Sequence, residues 1–66
     1  MQNQSPLTYN QKLAIQRLAS NSYSFAIPTI TLNSLARRGL IEQVGDFYYY
    51  LTDKGILEYS EIKNTN

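Results

Sequence analysis

Residues 31–55 of this 66-residue chain read TLNSLARRGLIEQVGDFYYYLTDKG, and this stretch decides the fold class. It opens with Leu32, Leu35 and Ala36, whose helical spacing predicts an amphipathic helix with a buried stripe. A glycine three residues later provides a helix stop. Apolar and aromatic residues then flank a Gly-Asp pair, a pattern typical of a β-hairpin. A helix followed by a hairpin predicts an α+β fold.

The helix in this stretch is predicted to begin at Pro28 or Thr29, since proline is tolerated at the first helical position. It is predicted to end at Arg38, before the glycine stop. The polar side chains assigned to its outer side are Asn33, Ser34, Arg37 and Arg38. The two arginines also favour the negative end of the helix dipole, so a purely stabilising role for them stays open.

The hairpin is predicted from strands at residues 40–44 and 47–51. Gly45 stands first in the connecting pair, as a two-residue type II′ turn prefers. This turn sets a register that pairs Val44 with Phe47.

The second strand of the hairpin is large and aromatic throughout, so its pattern does not fix which face is buried. We place Tyr49 and Leu51 inward, because Leu51 leads directly into the next helix. Tyr48 and Tyr50 then face outward. Packing is the default role for the tyrosines. Base stacking and a dimer interface are the alternatives.

Upstream of this stretch, residues 8–19 are predicted to form a helix with apolar positions at helical spacing. Thr8 is the predicted N-cap, and Gln11 three residues later completes a capping box. The residues assigned to the solvent-facing side of this helix are Gln11, Lys12, Gln16 and Arg17. Residues 23–27 alternate between larger and smaller side chains, which predicts a short edge strand.

Downstream, Thr52 is the predicted N-cap of a helix over residues 53–62. Gly55 is a poor helix former, so its presence indicates close packing at the start of this helix. The apolar residues expected to share the face that packs on the first helix are Ile56, Tyr59 and Ile62.

The composition excludes several kinds of chemistry. The chain has no Cys and no His, which removes disulfides, thiolate metal sites and imidazole ligands or acid–base groups. It also lacks a glycine-rich phosphate loop and a nucleophile beside a plausible base. We therefore expect no enzyme activity, no catalytic residue, no metal site and no cofactor.

The net charge of +1 does not by itself indicate a polyanion partner. The charges are nevertheless unevenly distributed, since every charged residue before position 42 is basic. This distribution predicts a basic face on the first two-thirds of the chain. The residues concerned are Lys12, Arg17, Arg37 and Arg38.

No apolar stretch approaches the about 20 residues that span a bilayer. The first six residues carry no hydrophobic signal region. We therefore expect a cytoplasmic protein with no membrane partner. One domain over residues 1–66, with an ordered core at about residues 7–62, fits a chain of this length.

The order of these elements resembles the winged-helix superfamily of bacterial regulators, such as the MarR-like and PadR-like domains. The resemblance covers residues 7–62, and two motifs carry it. They read Thr31-Leu32-x-x-Leu35-x-x-Arg38-Gly39-Leu40-Ile41 and Tyr49-x-Leu51-Thr52-x-x-Gly55. The resemblance implies a minimal winged helix: helix, short strand, recognition helix, β-hairpin wing and C-terminal helix.

In that superfamily the helix before the hairpin lies in the major groove of double-stranded DNA. The resemblance therefore implies a small DNA-binding transcriptional regulator of helix-turn-helix type, or a phage or plasmid accessory factor, which is expected to read two half-sites as a homodimer. The residues that would face DNA are Thr29, Asn33, Ser34, Arg37 and Arg38.

Three departures from the superfamily pattern keep a second function open. Only residues 20–27 separate the first helix from the recognition helix, so the helix that usually precedes it is shortened or replaced. Asp46 at the wing tip would repel phosphate. Ile30 suits a protein partner as well as a thymine methyl group. The alternative is a protein–protein interaction module, an inhibitor or adaptor, on the same scaffold.

Overall fold

The computed structural model describes residues 6–21, 23–24 and 26–64. In this part of the chain three helices and a two-stranded antiparallel hairpin form an α+β fold, which confirms the predicted class. The elements in chain order are α1 (Tyr9–Ser20), α2 (Thr29–Arg37), β1 (Ile41–Gln43), β2 (Tyr49–Leu51) and α3 (Asp53–Asn64).

Helix α1 begins as predicted, with a complete capping box. The Gln11 backbone N–H donates to the Thr8 hydroxyl at 3.1 Å, and the Thr8 backbone N–H donates to Gln11 Oε1 at 2.9 Å. These bonds satisfy two donors that a helix start otherwise leaves without an intrahelical partner.

The segment between α1 and α2 differs from the edge strand predicted there. Tyr23 forms an isolated antiparallel bridge with Tyr48. The backbone N–H of Ile27 then donates to the Ser24 carbonyl at 3.0 Å, which turns the chain toward α2. A strand over residues 23–27 is therefore wrong for the described positions; Phe25 lies outside them.

The predicted hairpin register is wrong by one residue. Ile41 pairs with Leu51, and the backbone N–H of Val44 donates to the Tyr48 carbonyl at 2.9 Å, which leaves residues 45–47 in the loop. A type II′ turn needs a positive φ at its first central residue. Among the described residues only Gly39 has one, so the two-residue turn does not form.

The facing predicted for the second strand is confirmed. Tyr49 and Leu51 are half-buried and pack against the core, while Tyr50 is exposed. The observed register agrees with this facing, because it pairs half-buried Leu51 with buried Ile41 and exposed Tyr50 with exposed Glu42.

The core is formed by residues of α1, α2 and β1 together with one residue from each of the segments that precede α2 and β1. It consists of Ala14, Ile15, Leu18, Ile27, Leu32, Leu35, Leu40 and Ile41. Within α2 the predicted inward positions Leu32 and Leu35 are confirmed, but Ala36 is exposed and Thr31 is buried instead. Thr31 lies four residues before Leu35 and shares its side, whereas Ala36 is exposed although it lies four residues after Leu32.

Helix α3 packs through a side that begins at Gly55. Gly55 is buried, and a Cβ at this position would overlap the Leu40 carbonyl, which confirms the close packing that its presence predicts. Tyr59 and Ile62 follow at positions four and seven residues later and pack against the core. Ile56 is 52% exposed, so its predicted inward position is wrong.

Candidate nucleic-acid interface

The outer side of α2 is an exposed surface of mixed chemistry. Thr29, Asn33 and Arg37 are exposed, as the sequence predicts. Asn33 and Arg37 are four residues apart and therefore lie one turn apart on the same face. Ile30, on that side as well, is 82% exposed. The surface thus offers an amide, a guanidinium and an aliphatic side chain along one helix.

Ser34 is positioned differently from the other predicted site residues. It is half-buried, and its hydroxyl donates to the Thr31 carbonyl at 2.8 Å. The same hydroxyl accepts a hydrogen bond from Gln11 Nε2 at 2.8 Å. Ser34 therefore joins α2 to α1, and its single hydroxyl proton is already committed.

Gln11 is the residue of this region that sequence reasoning treated as solvent-facing, and this was wrong. Its side chain is only 7% exposed. The signal for burial is its spacing, because Gln11 precedes Ala14, Ile15 and Leu18 at three, four and seven residues. A polar amide favours a solvent-facing prediction, but a buried amide is stable when it is hydrogen-bonded.

Arg38 lies at the exit of α2. It is the C-cap residue, with helical φ and ψ of −78° and −6°, and it is half-buried. Its backbone N–H donates to the Ser34 carbonyl at 3.2 Å. Gly39 follows with a φ of 77°, the left-handed conformation that ends many helices.

The start of α3 adjoins this exit. The Thr52 hydroxyl donates to the Gly39 carbonyl at 2.6 Å, and the Thr52 backbone N–H donates to the Leu40 carbonyl at 3.0 Å. Lys54 Nζ lies 3.9 Å from the point where a Cβ on Gly39 would stand. A lysine from the last helix therefore lies beside the end of α2, a placement that sequence spacing does not reveal.

The other cations in the first two-thirds of the chain do not lie at this end of α2. Lys12 lines a groove between α1 and α3 together with Glu58 and Glu61. Arg17 lines a separate cleft with Asn21 and residues of the segment that precedes α2. The single basic face predicted from the order of charges is therefore wrong, because helical geometry sends these side chains to different sides.

The hairpin tip carries an acid and exposed rings rather than cations. Asp46 and Phe47 line a small pocket with Thr29, at the opposite end of α2 from Arg38. The Tyr23 ring lies 6.2 Å from that of Phe47 and 5.4 Å from that of Tyr48, and all three rings are exposed. We call these three rings the aromatic patch.

The residues that the structure describes contain no group of three or more Asp or Glu side chains placed to hold a metal ion. Nor does any helix formed by these residues have the length and hydropathy that crossing a membrane requires. Comparison of the chain with protein-family models, with curated proteins and with solved structures found no match.

Proposed function

We propose that the chain binds double-stranded DNA as a minimal winged helix, with α2 as the recognition helix and the β1–β2 hairpin as the wing. The observation that carries the proposal is the exposed Asn33 and Arg37 on one face of α2. Helix α2 has nine residues and is about 13 Å long at 1.5 Å per residue. A helix with its side chains is about 10–12 Å across, so a major groove about 12 Å wide admits it.

The side chains on this face have the chemistry that reads base edges. The amide of Asn33 can pair with N6 and N7 of adenine, and the guanidinium of Arg37 with O6 and N7 of guanine. The hydroxyl of Thr29 can donate to a phosphate oxygen at the start of the helix. The core holds α2 only along its Thr31, Leu32 and Leu35 side, so the reading face is free of internal packing.

The first experiment measures whether duplex binding occurs. Fluorescence anisotropy with a labelled random-sequence duplex, at low and at high salt, should show affinity that falls as salt rises. The absence of binding at low salt would contradict the proposed function.

The second experiment tests α2 directly. Repeated selection from a random duplex pool should enrich a preferred sequence, and the double variant Asn33→Ala with Arg37→Ala should lose that enrichment. Each base contact is worth about 1–3 kcal/mol of discrimination. The control is Asn10→Ala with Arg17→Ala, which removes the same two chemical groups from exposed positions of α1. Equal loss in both variants would exclude α2 as the reading element.

A specific observation favours a second function, a protein-interaction module. Ile30 is exposed near the start of α2. The aromatic patch is exposed as well, and its Phe47 lines a pocket with Thr29 at the same end of α2. Exposed aliphatic and aromatic groups are typical of protein interfaces. Under this alternative Ile30→Asp abolishes partner binding, and duplex affinity is absent in the wild type.

A further inference from the structure

Two arginines end α2, and a lysine of α3 lies beside the residue that follows them, at the junction of α2, β1 and α3. Arg37 and Arg38 end α2, and Lys54 stands in the first turn of α3. Lys54 Nζ lies beside Gly39, the residue that follows Arg38. Since consecutive Cα atoms are about 3.8 Å apart, the ammonium group lies within about 9 Å of the Arg38 Cα.

The fold fixes this arrangement through backbone contacts. Thr52 bonds to the carbonyls of both Gly39 and Leu40. The close approach of Gly55 to the Leu40 carbonyl holds the first turn of α3 against the turn formed by Gly39 and Leu40. Lys54 lies between Thr52 and Gly55 in the chain. Its backbone is therefore held beside the end of α2, and only its side chain can change conformation to reach a ligand.

We propose that Lys54, with Arg37 and Arg38, binds backbone phosphates of double-stranded DNA; we call these three residues the junction cluster. The inference rests on the proposed function and adds a contact residue that lies outside both the recognition helix and the wing. Arg37 and Lys54 are exposed, and each can neutralise a phosphate, the guanidinium through a fork of donors and the ammonium as a compact charge.

The distribution of the remaining charges favours this end of α2 over the other. Asp46 lies near the start of α2 at the hairpin tip, where it would repel phosphate. Lys12 shares its groove with two glutamates. The carboxylates nearest to this end along the chain, Glu42, Asp53 and Glu58, reduce its local potential, whereas the hairpin tip brings Asp46 to the other end. The duplex backbone is therefore expected to run past the C-terminal end of α2.

The test is the salt dependence of duplex binding by Lys54→Gln. Each phosphate contact contributes about 0.9 to the slope of log affinity against log salt. Loss of one contact should therefore reduce the slope by about 0.9, so that the fall in affinity between about 50 and about 200 mM salt becomes about 3.5-fold smaller. The control Lys12→Gln makes the same change in charge and should leave the slope unchanged. Circular dichroism checks that both variants fold.

The outcomes separate the two proposals. A wild-type chain without salt-dependent duplex binding overturns the proposed function and this inference with it. A wild-type chain that binds with a salt-dependent affinity, while Lys54→Gln keeps the full slope or Lys12→Gln loses as much, overturns the junction cluster alone. A reduced slope in Lys54→Gln only, with loss of sequence enrichment in the α2 double variant, supports both.

Discussion

The junction of α2, β1 and α3 and the tip of the hairpin are both turns that contain a glycine, but they are built in different ways. At the junction Gly39 has a positive φ, Gly55 contacts a carbonyl, and Thr52 bonds to two backbone oxygens. At the tip a Cβ on Gly45 would make only ordinary contact with Tyr48, and the bond from Gln43 Nε2 to the Gly45 carbonyl measures 2.8 Å. The loop is also held by Ser24, whose backbone N–H and hydroxyl donate to the Phe47 carbonyl at 2.8 and 3.0 Å. The comparison teaches that the glycines of the junction are structurally required and that of the tip is not.

Gly55→Ala should have the largest effect on stability. The added Cβ would overlap the Leu40 carbonyl, a backbone atom that cannot move aside alone, and it would lie 3.3 Å from the Leu51 Cβ. We expect a loss of about 3 kcal/mol in the free energy of unfolding. The total free energy of unfolding of a chain of this length is only about 3–10 kcal/mol. Urea denaturation followed by circular dichroism measures the loss, and wild-type stability would contradict the packing described for α3.

Gly39→Ala should have the second largest effect on stability. The left-handed conformation costs a residue with a Cβ about 1–2 kcal/mol, while the space at this site is open apart from Lys54 Nζ. The free energy of unfolding should fall by that amount. Gly39→Asn is the matched comparison, because Asn tolerates this conformation better than Ala does. An alanine variant as stable as the asparagine variant would show that the turn is not conformationally strained.

Thr52→Ala should cost about 1 kcal/mol, the usual value for an N-cap. The hydroxyl accepts from the Gly55 backbone N–H at 3.2 Å and donates to the Gly39 carbonyl, so its removal affects both ends of the junction. Thr52→Ser keeps the hydroxyl and should recover most of the stability. If serine is no better than alanine in thermal unfolding, the hydroxyl is not what holds the junction.

Gly45→Ala should have the smallest effect and the opposite sign. The φ of Gly45 is not positive, and a Cβ would make ordinary contact with Tyr48 Cδ2 at 3.6 Å. Alanine restricts the unfolded chain, so stability should rise by about 0.4–1 kcal/mol. A destabilisation as large as that of Gly39→Ala would remove the distinction between the two turns.

The parts of this fold that sequence predicts are those governed by neighbouring residues. The capping box of Thr8 and Gln11, the stop at Gly39 and the cap at Thr52 each act within one helical turn, and each is observed. The inward face of β2 follows from Leu51, which leads directly into α3 and packs against the core.

The parts that sequence misses depend on contacts between distant residues. The register of the hairpin depends on the φ that Gly45 adopts once β1 and β2 have paired. Whether Thr31 or Ala36 is buried depends on where α1 and β1 cover α2. The placement of Lys54 depends on how α3 packs back on the chain. None of these three features can be predicted from the spacing of residues within a single helix or strand.

The two ends of the Gln11 amide have a consequence for how the protein opens. The oxygen caps the first turn of α1, and the nitrogen bonds to Ser34 of α2, so one rigid group serves a local and a distant partner. Fraying at the start of α1 and detachment of α2 are thereby coupled. Hydrogen exchange at the Thr8 amide, a site near a chain end where rapid exchange would be ordinary, becomes a reporter of whether α2 is docked.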